Sequence, residues 1–229
     1  MKKYTYLLWD IDGTILDFLA AEKEAIKHLF IKYGFGPCSD EMVARYSKIN
    51  VRYWEALERN EMTKPEILVG RFREFFETEG LDVSKAEAFN RDYQLALGDT
   101  IVFCDDCFDL IASLKGKYKL GAVTNGTIEA QSKKLKASGL DQIFDAIFIS
   151  DEIGVEKPNS GFFDCVIEKM QIKDVSQALI IGDSLTSDIK GGNVAGFDTC
   201  WYNPHGKKNT AGVTINYEIA ELHEILSIL

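Results

Sequence analysis

The fold is decided by residues 4–14, which read YTYLLWDIDGT, a short apolar run that ends in two aspartates and a glycine. The run at 4–9 predicts a buried strand, because apolar and aromatic residues dominate it. In open α/β sheets, ligands bind outside the carboxyl ends of the strands. Asp10 and Asp12 are therefore expected at a ligand site, if the rest of the chain supplies such a sheet.

The remainder of the chain predicts that sheet. Short apolar runs recur at 120–123, 146–149, 179–181 and 199–202, and helical patterns lie between them at 108–114, 128–135, 162–170 and 189–195. Strand and helix in alternation indicate an α/β fold with a parallel sheet.

Residues 18–97 interrupt this alternation, because they carry only helical patterns of apolar residues. Two helix starts inside the segment carry predicted capping boxes, Thr63 with Glu66 and Ser84 with Glu87. The sequence has no Ser/Gly-rich linker beside the segment, so we expect this helical insertion to pack against the sheet domain.

The composition restricts the function classes. The chain has 229 residues, 46% of them hydrophobic and 27% charged, as in ordinary globular proteins. Its net charge of -10, without a run of Lys or Arg, excludes extended nucleic acid as a partner. A small phosphorylated substrate is compatible, because a bound divalent cation can invert the field inside one pocket. Five scattered cysteines, with no signal peptide and no membrane-spanning stretch, lead us to expect a cytoplasmic protein without membrane contact.

Asp10 and Asp12 have the side chains that phosphoryl transfer requires. A carboxylate can attack a phosphoryl group when a cation and hydrogen-bond donors neutralise the repulsion between two anions, which makes Asp10 the candidate nucleophile. Asp12 is the candidate acid and base for the leaving oxygen and the attacking water. Gly13 permits the backbone to approach a phosphate. The alternative is that the two acids only cap the following helix.

Two further motifs follow the apolar runs at 120–123 and 146–149. Thr124-Asn125-Gly126 supplies a hydroxyl, an amide and a permissive glycine for phosphate oxygens. Lys157, ahead of Pro158, supplies a compact cationic donor for the same oxygens.

The last motif, at 182–188, holds Asp183 and Asp188. Because Mg²⁺ prefers carboxylate, water and phosphate oxygens, Asp183 and Asp10 together form a candidate magnesium site. Asp188 is expected to orient Lys157 or the metal's waters.

These four motifs, in this order and each at a strand end, resemble those of the haloacid dehalogenase-like phosphohydrolases. The helical insertion resembles the cap of the same family. The resemblance implies a doubly wound, Rossmann-like core at 1–16 and 98–229 with an inserted all-helical cap at 17–97. It implies Asp10 as the nucleophile and Asp12 as the general acid and base. The implied phosphate ligands are Gly13, Thr14, Thr124, Asn125, Gly126 and Lys157, and the implied magnesium ligands are Asp10, the backbone carbonyl of Asp12, and Asp183, with Asp188 behind them.

Within that family the chain is most similar to the YjjG-type pyrimidine 5'-nucleotidases, through TNG at 124–126, EIGVEKP at 152–158 and the stretch 182–204. This similarity implies a magnesium-dependent hydrolase of nucleoside 5'-monophosphates that works through an aspartyl-phosphate, as a monomer or weak homodimer. The expected substrate contacts in the cap are Asn50, Trp54 and Arg71, because a nucleotide needs one stacking face and a few polar groups.

One position departs from the family pattern. Cys104-Asp105 stands where relatives tend to carry Pro-Gly, close to the boundary of the cap. The pair Cys104 and Cys107 is interpreted as the start of a helix, and the three histidines as surface or structural residues.

The sequence leaves alternatives open. A sugar-phosphate phosphatase or a phosphomutase would use the same residues, because cap closure and water access decide the fate of the phosphoryl group. A haloacid dehalogenase is disfavoured by Asp12, since a halide leaves without a proton. A non-catalytic domain that binds phosphorylated metabolites has no requirement for the complete set of acids.

Overall fold

The computed structural model describes residues 3–229. Its sheet has six strands in the order β3-β2-β1-β4-β5-β6, and neighbouring strands pair in parallel. The strands are β1 Tyr6–Trp9, β2 Lys119–Thr124, β3 Ala146–Ile149, β4 Ala178–Gly182, β5 Asp198–Tyr202 and β6 Tyr217–Ile219. The chain winds outward from β1 in both directions, so the predicted doubly wound α/β core is confirmed.

The helices fall into two groups. The insertion contains α1 Phe18–Lys32, α2 Asp40–Glu58, α3 Lys64–Glu79 and α4 Ala86–Ala96, which confirms that its regular elements are helical. The core contains α5 Phe108–Leu114, α6 Ile128–Ser138, α7 Ser150–Ile153, α8 Ser160–Met170 and α9 Lys190–Ala195. Within residues 3–229, no helix combines the length and the apolar character that crossing a membrane requires.

Both faces of the sheet are buried. Leu7 and Trp9 of β1 pack in one hydrophobic cluster, and Leu8 between them packs in a second cluster. Successive side chains of a strand point to opposite faces, so a strand that is covered on both faces needs a continuous apolar run. This is why β1 and β4 could be recognised in the sequence.

The insertion has a hydrophobic core of its own, rich in aromatic side chains. Phe30, Phe72, Phe75, Phe76 and Phe89 are fully buried, and their neighbouring rings lie edge-on or tilted at centroid distances from 5.1 to 6.3 Å. Such aromatic pairs contribute about 0.5–1.5 kcal/mol each beyond the area they bury. The four helices are therefore held together as one unit beside the sheet.

The predicted capping boxes have different outcomes. The box at Thr63 is confirmed at the start of α3. The box of Ser84 with Glu87 is wrong, because Asp82 accepts hydrogen bonds from the amide and the hydroxyl of Ser84 at 3.0 and 2.6 Å. A side chain that captures a local amide in this way competes with a helix start, so a short 3-10 turn precedes α4.

The insertion joins the core through two chain segments that lie side by side. Leu16 and Phe103 form an antiparallel bridge, and Cys104 N donates to Ile15 O at 2.9 Å. Asp105 adopts a φ of 50° at this crossing, a conformation that Gly, Asn and Asp adopt more readily than other residues. An aspartate can therefore stand where relatives tend to carry glycine.

Candidate active site

The carboxyl ends of β1, β2 and β4 are adjacent in the sheet, so the motifs that follow them meet at one edge. Between this edge and the insertion lies a cavity of about 710 Å³. The predicted site residues that line it are Asp10, Asp12, Thr124, Asn125, Gly126, Lys157, Asp183 and Asp188 from the core, and Asn50, Trp54 and Arg71 from the insertion. The structure thus brings the predicted site residues together around the cavity, except Gly13 and Thr14.

Gly13 and Thr14 contact Asp183 instead. Gly13 has a φ of +92°, and a Cβ there would lie 2.9 Å from Asp183 Oδ2. Only glycine permits both this backbone conformation and this close approach. Thr14 is fully buried, and its hydroxyl accepts from Asp183 N at 3.0 Å. Both residues therefore help to position Asp183.

A buried lysine joins two of the acids. Lys157 Nζ donates to Asp10 Oδ1 at 2.7 Å, to Asp188 Oδ1 at 2.6 Å and to Val123 O at 2.8 Å. Burial by itself would lower the pKa of Lys157, but the charges of Asp10 and Asp188 outweigh it and raise the pKa. Asn125 fixes the backbone of Lys157 through two hydrogen bonds at 2.8 and 2.9 Å. The loop after β2 thereby holds the segment that carries the lysine.

Asp10, Asp183 and Asp188 form a compact acidic cluster, in which one carboxylate oxygen from each lies within 4.8 Å of the others. Burial and the charge of Asp188 raise the pKa of Asp183 to about 7, and they raise the pKa of Asp10 well above its ordinary value. Three acids around one lysine leave an excess of negative charge. A hard divalent cation with oxygen ligands offsets such an excess, so this donor set fits Mg²⁺.

Asp12 is held by two residues of α6 that sequence reasoning did not identify. Lys134 Nζ donates to Asp12 Oδ1 at 2.5 Å, and Gln131 Nε2 donates to Asp12 Oδ2 at 2.6 Å. The two donors are three residues apart and so share one face of the helix. That spacing, shortly after the Thr124 loop, was the only signal in the sequence.

The helix after the first motif has a cap of its own. Asp17 accepts from Ala20 N at 3.0 Å at the start of α1. The alternative in which Asp10 and Asp12 only cap that helix is therefore wrong.

On the insertion side, Arg71 and Asn50 belong to a buried hydrogen-bond network. Arg71 Nη1 donates to Asn50 Oδ1 at 2.6 Å, and Arg71 Nη2 donates to Asn90 Oδ1 at 3.3 Å. Asn50 Nδ2 donates in turn to Glu22 Oε2 at 2.8 Å. Trp54 is half-buried, and the guanidinium carbon of Arg71 lies 5.8 Å from its ring centroid. Asn50, Arg71 and Trp54 line the cavity on the insertion side, and we call these three residues its roof.

Two further contacts join the insertion to the core. Glu58 Oε2 accepts from Thr186 Oγ1 at 2.5 Å, and burial raises the pKa of Glu58 to about 7. Lys64 Nζ donates to Ser150 Oγ at 2.8 Å and pairs with Asp151 at 2.8 Å. Nothing in the sequence distinguished Glu58 and Lys64 from other charged residues on helices.

Comparison with known proteins gives a family and close relatives. A family model described as haloacid dehalogenase-like hydrolase matches residues 7–202. The HAD-hydrolase YfnB of Bacillus subtilis is 41% identical over 229 residues, which are 100% of this chain and 97% of YfnB. The crystal structure of magnesium-bound YfnB, which reveals interdomain movement, has a TM-score of 0.93 at 40% identity and covers 100% of this chain and 99% of that chain.

Two other relatives are named as pyrimidine 5'-nucleotidases. PynA of Streptococcus pneumoniae is 34% identical, and the match covers 99% of this chain and 95% of PynA. YjjG of Escherichia coli is 28% identical, and the match covers 99% of this chain and 98% of YjjG. These matches confirm the resemblance that the four motifs predicted.

Proposed function

The chain belongs to the haloacid dehalogenase-like hydrolases, and we propose that it is a magnesium-dependent phosphatase of pyrimidine nucleoside 5'-monophosphates. One observation carries the proposal. Lys157 bonds to Asp10 and Asp188, and a carboxylate oxygen of Asp183 lies within 4.8 Å of theirs, at the bottom of a cavity that can hold a small molecule. The relatives named as pyrimidine 5'-nucleotidases support the substrate class.

In this proposal Asp10 is the nucleophile. Its carboxylate attacks the phosphorus atom, an aspartyl-phosphate forms, and the bond to the leaving oxygen breaks. Asp12 gives a proton to that oxygen and later takes one from the water that attacks the aspartyl-phosphate, which releases inorganic phosphate. Lys157 orients Asp10, and its positive charge offsets negative charge on the phosphoryl oxygens.

The proposed magnesium ligands are Asp10, Asp183 and the backbone carbonyl of Asp12. Bound there, Mg²⁺ would neutralise charge so that an anionic nucleophile can approach an anionic ester. Asp188 holds Lys157 in place. The residues proposed to surround the phosphate are Thr124, Asn125, Gly126 and Lys157. Gly13 and Thr14, which were also expected there, are proposed to act through Asp183 instead.

The proposed division of the chain is a core of residues 1–16 and 98–229 and a cap of residues 17–97 that selects the substrate. The cavity volume of about 710 Å³ lies within the range of about 300–1,000 Å³ that is usual for small-molecule sites. Trp54 would offer a stacking face, and Asn50 and Arg71 would offer polar contacts. We propose a cytoplasmic monomer or weak homodimer.

The test is release of inorganic phosphate from a panel of pyrimidine and purine nucleotides and sugar phosphates, with magnesium and with a chelator. We expect release that requires magnesium and is fastest with pyrimidine nucleotides. If phosphate is released fastest from a sugar phosphate, the substrate is that sugar phosphate and not a nucleotide. An isomerised sugar phosphate among the products would indicate a mutase. Metal-independent release of halide from a 2-haloacid, scored in parallel, would identify a dehalogenase. An absence of turnover throughout would leave a binding domain.

A further inference from the structure

Both carboxylate oxygens of Asp12 are held by α6, a helix that the proposed reaction does not otherwise use. Lys134 holds one oxygen at 2.5 Å, and Gln131 holds the other at 2.6 Å. Because hydrogen bonds are directional, two donors on separate oxygens fix the rotation of the carboxylate plane as well as its position. One donor alone would leave the plane free to turn.

Lys134 is buried and therefore requires this contact with Asp12. Its side chain is 2% exposed and forms an ion pair with Asp12, and its Nζ lies 5.2 Å from the ring centroid of Phe18. A buried ammonium needs a partner of opposite charge, because an unpaired buried charge is strongly unfavourable. Phe18 is the first residue of α1, so Lys134 also connects Asp12 to the beginning of the insertion.

Gln131 is the second residue of α6 that contacts Asp12. It is fully buried, and its Oε1 has no hydrogen-bond partner among residues 3–229. The hydrogen bond from Nε2 to Asp12 is therefore the one that holds this buried side chain among the described residues. A Cβ at Gly126 would lie 2.2 Å from Gln131 Nε2. A glycine of the proposed phosphate loop thus also makes room for the side chain that holds Asp12.

We propose that Lys134 and Gln131 are positioning residues, which aim Asp12 at the leaving oxygen and at the attacking water. This inference rests on the proposed role of Asp12 as acid and base. A residue that acts through Asp12 matters most where the leaving group needs a proton. An alkoxide from a nucleotide needs one, whereas a 2,4-dinitrophenolate leaves without it.

The experiment compares kcat/KM for a nucleoside 5'-monophosphate and for 2,4-dinitrophenyl phosphate, with the full chain and magnesium. Lys134→Met keeps an unbranched side chain that is one atom shorter and removes the donor, and Lys136→Met on the exposed side of α6 is the matched control. We expect Lys134→Met to lower the value for the nucleotide by about 10- to 100-fold. The value of kcat/KM for the aryl ester should stay within about threefold of the wild type. This constant reports only the steps up to departure of the leaving group, and the dinitrophenolate departs without a proton. The control should match the wild type on both esters.

Gln131→Met should show the same dependence on the leaving group with a smaller loss, and it carries the comparison if Lys134→Met does not fold. Lys134→Arg should recover part of the nucleotide activity, because it restores a cationic donor. In an Asp12→Asn background, Lys134→Met should cause no further loss, since a residue that acts through Asp12 is not additive with it.

The outcomes separate two kinds of failure. Equal losses on both esters, no loss on either, or additive losses in the Asp12→Asn background would overturn the positioning role alone. Absence of phosphate release by the wild type, or wild-type rates in Asp12→Asn, would overturn the proposed function itself.

Discussion

Two buried polar clusters face the cavity from opposite sides, and they differ in how their charges are balanced. On the core side, Asp10 and Asp188 share Lys157 with Asp183 close by, and burial together with like charges raises the pKa values of Asp10 and Asp183. On the insertion side, burial raises the pKa of Glu22, and the neighbours Ser47, Arg71, Asn50 and Tyr93 offset part of that rise. The first cluster has surplus negative charge, whereas the second is compensated from within.

This difference separates a cluster that receives ligands from a cluster that maintains a shape. Surplus negative charge is relieved when a cation binds. A polar network whose members satisfy one another rigidifies its surroundings and needs no ligand. Substitutions in the core cluster should therefore change the chemistry, and substitutions in the insertion cluster should first change the stability.

The largest effect is expected from Asp10→Asn. A neutral amide cannot attack phosphorus, so phosphate release should fall by a factor of about 10⁴ or more. The Tm should not fall, because the substitution removes one of the mutually repelling acids. Kinetics and thermal unfolding measure the two effects, and Asp164→Asn on the exposed side of α8 is the matched control. Retained turnover would reject Asp10 as the nucleophile, and a large fall in Tm would break the comparison of the two clusters.

Arg71→Met tests the insertion cluster. We expect the free energy of unfolding to fall by about 3 kcal/mol, because Glu22 loses a compensating charge and two asparagines lose a donor. Hydrolysis of a small aryl phosphate by the folded variant should fall by less than about tenfold. Urea denaturation and steady-state kinetics provide the measurements, with Arg73→Met on the exposed side of α3 as the control. Unchanged stability with lost turnover would mean that this cluster also performs chemistry.

Magnesium should stabilise the protein more at pH 8 than at pH 5.5. The pKa of Asp183 is about 7 in the folded chain, above the ordinary value of an aspartate. The folded state without metal therefore loses stability as the pH rises from that ordinary value to about 7. Magnesium binds the ionised acids. At a hundredfold excess over its Kd it should raise the free energy of unfolding by about 2.7 kcal/mol, which corresponds to roughly 5–10 °C in Tm. Thermal unfolding with and without magnesium at both pH values measures this. The same Tm difference at both pH values, or one that survives in Asp183→Asn, would contradict the assignment.

The smallest effect is expected from Trp54→Ala, which sharpens the role of the roof. Loss of a stacking face should lower kcat/KM for a nucleotide by about tenfold relative to a small alkyl phosphate. Tyr53→Ala, the neighbouring aromatic on α2, is the matched control and should leave that ratio unchanged. If Trp54→Ala does not alter the ratio, Trp54 is a packing residue.

The sheet could be predicted closely wherever strands are buried on both faces. The bounds of β1 to β5 lie within two residues of the predicted runs, because continuous apolar residues reveal such strands. β6 was missed, since it is a three-residue edge strand in which only Ile219 is fully buried. So short a segment leaves no recognisable run.

The site could be predicted only where it follows strands. Parallel strands end at one edge, so the residues directly after them had to converge. Gln131 and Lys134 were missed because a helical pattern shows which residues share a face but not what that face meets. Asp12 and Gln131 are 119 residues apart in sequence, and only the packing of α6 against the first loop brings them together.

The bridge between Leu16 and Phe103 has a consequence for how this chain can diversify. The insertion departs and returns through two segments that are bonded to each other, so its ends are already neighbours. A differently shaped bundle, or a tight turn, could be grafted at that point without displacing any strand. Substrate recognition can then evolve by exchange of the whole insertion. The reaction can evolve independently, by single substitutions at the carboxyl ends of the strands.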